Sequence, residues 1–231
     1  MIALTQGLMA VTGAQVQFIA STGANYVASG TSINTPSTPE GVQSGDGLFA
    51  IIFTRSAITA PSGWTLVASQ TNTDIATQTL HLYRRDSAAP TDSSTAFSWS
   101  QAESGRMGLC YVLARSNTGA LSVAQSATVE TDRPSAAATQ TANIPSLTAA
   151  ANGELCLFCA TSTLSSATAG ENTWAPAAGT VRTSNSQSDG RLIACTQELN
   201  AGNSSAATMT LSTASAADNY FSAISARLVS A

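Results

Sequence analysis

The chain has 231 residues, of which 43% are apolar and only 10% charged, with a net charge of −4; ordinary soluble domains carry roughly 25% charged residues. All nine basic residues are arginine and no basic cluster exceeds Arg84-Arg85, so the electrostatic footprint of a nucleic-acid binder is missing. No apolar run approaches the roughly 20 residues that cross a bilayer, and the N-terminus lacks the positive charge that opens a secretory signal, so the expectation is a soluble protein, with no membrane partner, made in a cytoplasm.

In chain order, the first stretch is the uncharged "MIALTQGLMAVTGA", residues 1–14, with Ile2, Leu4, Leu8, Met9 and Val11 as its large apolar side chains. It reads equally as the first strand of a sheet or as an arm that contacts a partner. Short runs rich in Val, Ile, Thr, Phe and Tyr then recur between clusters of Gly, Pro, Ser, Asn and Asp: "AQVQFIAS", "GTSINTP", "GLFAIIFT", "WTLVAS", "TLHLYRR", "TAFSWS" and "GLCYVLAR". These have the composition of β-strands bounded by turns. "TAFSWS" alternates, with Phe97 and Trp99 on one face, so one side of that strand should meet a core. No window longer than ten residues keeps an apolar period of 3.6 residues with caps at both ends, so helices should be few and short.

The second half repeats the order of the first. Gly45-Asp46 before "GLFAIIFT" has a counterpart in Gly153-Glu154 before "LCLFCATS"; Trp64 pairs with Trp174, "LHLYRR" with "LIACTQ", and "TAFSWS" with "ATMTLS". The separation grows from about 108 to about 112 residues, as two copies with small loop insertions would give. The expected fold is all-β: two tandem antiparallel β-sandwich domains, jelly-roll-like or immunoglobulin-like, related by internal duplication, over 15–117 and 118–231. Asp46 and Glu154 are read as acids of tight turns that cap neighbouring backbone. Trp64 and Trp174 are read as plugs at the end of each sandwich, with a stacking platform for a sugar as the alternative.

Chemistry-bearing residues are sparse. Cys156 and Cys159 have CxxC spacing but lie in a strand-like run, where residues three apart face opposite sides, so a shared metal or redox dithiol is disfavoured. Cys110, Cys156, Cys159 and Cys195 are expected to be buried apolar filler, with a Cys110–Cys195 disulfide left open. His81 is the single histidine, expected to face solvent or a neighbouring strand. The acids Asp46, Asp74, Asp86, Asp92, Glu154, Asp189 and Asp218 are scattered singly in turns, and no pair is marked out as a glycosidase would require. No catalytic, metal or cofactor site is read from these residues.

The order "GTSINTP", "GVQSGDGLFAIIF", "APSGWTLV" and "LHLYRRDSA", followed by an alternating Ser/Thr-rich strand, resembles a module that recurs in structural proteins of tailed bacteriophages. The first half carries every element. The second departs in detail, with Glu154 for the Asp, "NTWAPAAG" for the Pro-x-Gly-Trp turn, and Cys195 in the place of Tyr83. The resemblance implies a non-enzymatic protein on the outer surface of the virion. The first form of that function is a capsid decoration or cement protein that binds the shell, with the major capsid protein or neighbouring copies of itself as partners. The alternative is a tail- or head-fibre domain recognising host glycans, and an enzyme acting on cell-wall polysaccharide is the third and weakest.

Overall fold

The computed structural model describes residues 13–55, 57–72, 78–86, 96–133, 139–164, 173–187, 190–212 and 219–231. Among these residues the chain is all-β, with fifteen strands and no helix. In chain order they are β1 (Val16–Ser21), β2 (Asn25–Asn34), β3 (Gly47–Thr54), β4 (Ile58–Thr59), β5 (Trp64–Asn72), β6 (Gln78–Asp86), β7 (Ala96–Ser116), β8 (Leu121–Arg133), β9 (Thr139–Asn143), β10 (Glu154–Leu164), β11 (Thr173–Pro176), β12 (Thr180–Gln187), β13 (Gly190–Leu199), β14 (Thr208–Ser212) and β15 (Asn219–Ser230).

Every pairing is antiparallel. The first sheet runs β1-β7-β3-β6-β5, with β2 and β4 also on β7; the second runs β12-β13-β10-β15-β8; a third, small sheet is β11-β14-β9. The first two sheets share one order, with β8, β15, β10, β13 and β12 in the places of β1, β7, β3, β6 and β5. The likeness extends to irregularities. A bulge interrupts β1 after Phe18 and β8 after Val123, and another interrupts β5 after Leu66 and β12 after Val181. Bulges are specific local features, and these recur at matching places in the two sheets.

That register corrects one pairing read from the sequence. Leu66 lies opposite Tyr83 and Val181 opposite Cys195, so Trp64 matches Gly179. Trp174 pairs with Leu211 of β14 as Ile58 pairs with Trp99 of β7, so Trp174 matches Ile58. The chain between β10 and β11 is longer than that between β3 and β4, and this brings two unrelated tryptophans to a similar separation. A second difference is that "AFSWS" and "GLCYVLAR" are parts of one strand, β7, which runs on through the polar segment 101–106.

Three apolar clusters fill the molecule. The outer face of the first sheet carries Leu48, Ala50, Ile52, Tyr83 and Leu109 beneath Ile33, Phe97 and Trp99. The outer face of the second carries Cys156, Phe158, Ile193 and Cys195 beneath Ala142 and Met209 of the small sheet. Between them Phe49, Ile51, Phe53, Leu80, Leu82 and Val112 of the first sheet pack against Leu155, Leu157, Cys159, Leu192, Ala194 and Ile224 of the second. The two halves are therefore joined face to face by a core of their own. This explains why "GLFAIIFT" is apolar without alternation: every residue of β3 is buried, because both of its faces are covered. The turn Asn117–Ala120 joins β7 to β8.

Candidate functional site

The two acidic turns sit where the central strands begin. Asp46 immediately precedes β3 and is 3% exposed; its Oδ2 accepts a hydrogen bond from the Gln43 backbone N–H at 2.7 Å. Arg115 of β7 donates to the same carboxylate through Nε at 2.6 Å and Nη2 at 2.8 Å, and Nη2 also reaches the Gly41 carbonyl. Glu154, at the start of β10, accepts from the N–H groups of Ala150 and Ala151 and from Arg227 of β15 at 2.9 Å. Backbone donors and one guanidinium occupy each carboxylate, and together they fix the turn before the strand.

Trp64 is 8% exposed at the start of β5, stacked on Tyr111 at 5.5 Å and tilted against Phe97 at 5.4 Å, with Arg85 over its ring. Its face is thus occupied from within the fold. Among the described residues its indole N–H has no hydrogen-bond acceptor, whereas the Trp99 indole donates to the Gly30 carbonyl at 2.7 Å. The backbone of Trp174 lies in β11 within the small sheet.

His81 is buried, 7% exposed, and meets the neighbouring strand β3, the second of the two positions expected for it, and not solvent. It lies on the outer face of β6 with Tyr83, its Nε2 3.5 Å from Thr54 Oγ1 and its Nδ1 without a partner among the described residues. Burial lowers its pKa to about 4, because the imidazolium would lose its hydration there. All four cysteines are free and buried. Cys110 and Cys159 belong to the central cluster, Cys156 and Cys195 to the outer cluster of the second sheet. The CxxC pair thus points to opposite faces, and a Cys110–Cys195 disulfide is ruled out by the sheet that lies between them. Burial pushes the thiols up, to about 12 for Cys110 and Cys195 and about 11 for Cys156. Among the described residues no group of three His, Cys, Asp or Glu gathers as a metal site would need.

Among the grooves lined by described residues are the following two. One, of about 620 Å³, runs beside Gly13–Gln17 and is bounded by Asn152, Gly153 and Glu198. The other, of about 410 Å³, lies in the seam between β5 and β8, lined by Leu66, Val67, Arg84, Val123 and Gln125. Leu66 at 48% and Val181 at 38% are the exposed large apolar side chains among the described residues, and they occupy matching places before the bulges of β5 and β12. The seam was not legible in the sequence, because it forms between strands of different halves. Ile2, Leu4, Leu8, Met9 and Val11 lie outside the described residues.

No family model matches the chain, and neither the curated proteins nor the solved structures contain a match to it.

Proposed function

We propose that this protein is a non-enzymatic structural protein of a tailed-bacteriophage virion, a decoration or cement protein that binds the outside of the capsid shell and stabilises it. The observation that carries the reading is where the chemically capable groups are spent. Asp46 and Glu154 are consumed by Arg115, Arg227 and backbone donors, His81 is buried and neutral, and the thiols are apolar filler. What remains at the surface is a large, weakly charged β body whose halves are fused by a shared core. The order of motifs around Asp46 and Trp64, with its resemblance to phage structural modules, supplies the class, and the matched strand order and bulges of the two halves fit descent from one duplicated module.

Such a protein works mechanically. Many weak contacts repeated over identical capsid subunits add up, so that avidity replaces a few strong contacts. Partners are the major capsid protein and neighbouring copies of this chain. The test is to purify particles from the source, count copies by quantitative mass spectrometry, and heat particles with and without the protein. Hundreds of copies and earlier DNA release without it are expected. A handful of copies, with intact heat resistance and poor adsorption to cells, would replace cement by a fibre role recognising host glycans; absence from particles would end the virion reading.

A further inference from the structure

The two seams where the sheets meet edge over edge are built from matching positions and differ in one respect. In the seam of β1 and β12, the Arg182 guanidinium lies 3.9 Å from the centroid of the Phe18 ring, Ser21 Oγ donates to the Arg182 carbonyl at 2.8 Å, and Thr183 Oγ1 donates to the Thr22 carbonyl at 2.7 Å. That seam closes on itself. In the seam of β5 and β8, the places of Phe18 and Arg182 are taken by Val123 and Val67. Two short side chains stand where a ring and a guanidinium stood, and the groove of about 410 Å³ is the space they leave.

The walls of this groove define what fits. Leu66 is 48% exposed beside it, and the Arg84 guanidinium is tied to the Leu121 carbonyl. Among the described residues β5 pairs with β6 alone, and its sequence "WTLVASQTN" contains neither a charge nor a proline to discourage another strand. An extended chain that offers aliphatic side chains to Leu66, Val67 and Val123 and its backbone polar groups to Thr65, Gln125 and Ser126 would satisfy both the strand edge and the walls of the groove.

We infer that the occupant is the segment Ile2–Val11 of a second copy of this chain. The segment is uncharged, carries Ile2, Leu4, Leu8, Met9 and Val11, and joins the body at Gly13, whose carbonyl accepts from Asn117 Nδ2 at 3.2 Å. Gly13 leads directly into β1, which stands at the opposite end of the β1-β7-β3-β6-β5 order from the groove. Four strand spacings, about 19 Å, separate the two edges. Copies laid side by side in one orientation therefore bring the departing segment of one to the open groove of the next, a head-to-tail contact that repeats across a surface. This deepens the covering role proposed above and rests on it.

The test uses the full chain. Leu66→Asp changes an exposed side chain, so the fold, checked by circular dichroism, is expected to survive while self-association in analytical ultracentrifugation weakens about tenfold or more. A differently tagged pair, one copy Leu8→Cys and the other Gln125→Cys, should form a disulfide between copies under mild oxidation. Unchanged association of the Leu66→Asp protein, or cross-linking confined to single chains that carry both cysteines, overturns the inference. Because these readouts need no capsid, their failure leaves the virion role standing, and absence of the protein from particles leaves the arm–groove contact standing.

Discussion

Asp46 and Glu154 show how one task is met by side chains of different length. Each accepts backbone N–H from its own turn and a guanidinium from the adjacent strand, but Arg115 lies one residue beyond the first pair of β3 with β7, whereas Arg227 lies one residue inside the first pair of β10 with β15, opposite Cys156. His81 is the contrasting case, a titratable group buried without a charged partner among its contacts with Thr54 and Tyr83. Its folded pKa of about 4 lies below the unfolded value of 6.5, so above both values it is neutral in either state and costs nothing. As the pH falls through the unfolded value, the unfolded chain takes up the proton first. Stability is then lost progressively down to about pH 4, by up to about 3 kcal/mol. Urea denaturation at pH 7.5, 5.5 and 4 should show this loss in the wild type and a flatter profile in His81→Gln. Parallel profiles would assign the pH dependence to other groups.

Strands were the most legible elements, because β-branched and aromatic runs between turn residues carry their own signal: "GLFAIIFT" is β3 from its first residue to its last. Two things were not legible. The partner covering the second face of β3 lies in the other half of the chain, and a run buried on both faces has no period that names its neighbours. The match of Trp64 to Gly179 depended on bulges and loop lengths, which leave no mark in composition. Of the candidate site, the acidic turns were visible as Gly-Asp and Gly-Glu, while the arginines that hold them come from 115 and 227, far along the chain. The Gly-Glu turn also explains its glycine. Gly153 has φ +79, and a Cβ there would lie 2.7 Å from the Ala14 carbonyl oxygen, at the point where the Val16 N–H donates to the Gly153 carbonyl. Gly202 has a similar φ of +80 but open space around it. Gly202→Ala should therefore cost only the left-handed backbone strain, about 1 kcal/mol. Gly153→Ala should cost more, about 2–3 kcal/mol, since backbone must also move to relieve the clash. Urea midpoints of the two variants measure the difference, and equal losses would mean that β1 yields freely against β10.

At the scale of the molecule, the shared core decides how the halves respond to stress. Tandem sandwiches joined only by a linker would unfold separately, each protected by its own interior. Here Phe49, Ile51 and Leu82 of one sheet share one buried cluster with Leu155, Leu157 and Ile224 of the other, so opening either half would expose the inner face of both. Cooperative unfolding follows, and the cysteines report it from three positions: Cys110 on the first sheet, Cys159 opposite it, and Cys156 and Cys195 beyond the second sheet. Pulsed thiol labelling along a urea gradient should find all four becoming reactive at one midpoint. Leu157→Ala empties part of the central cluster and should lower that midpoint by the equivalent of about 2–5 kcal/mol. The informative point is that Cys110 should move with Cys156 and Cys195, although the mutation lies in the other half. If Cys156 and Cys195 were exposed at lower urea while Cys110 held its midpoint, the halves would be thermodynamically separate and the central cluster only a contact between them. A single midpoint would mean instead that a load applied to one face of the protein is borne by all its layers.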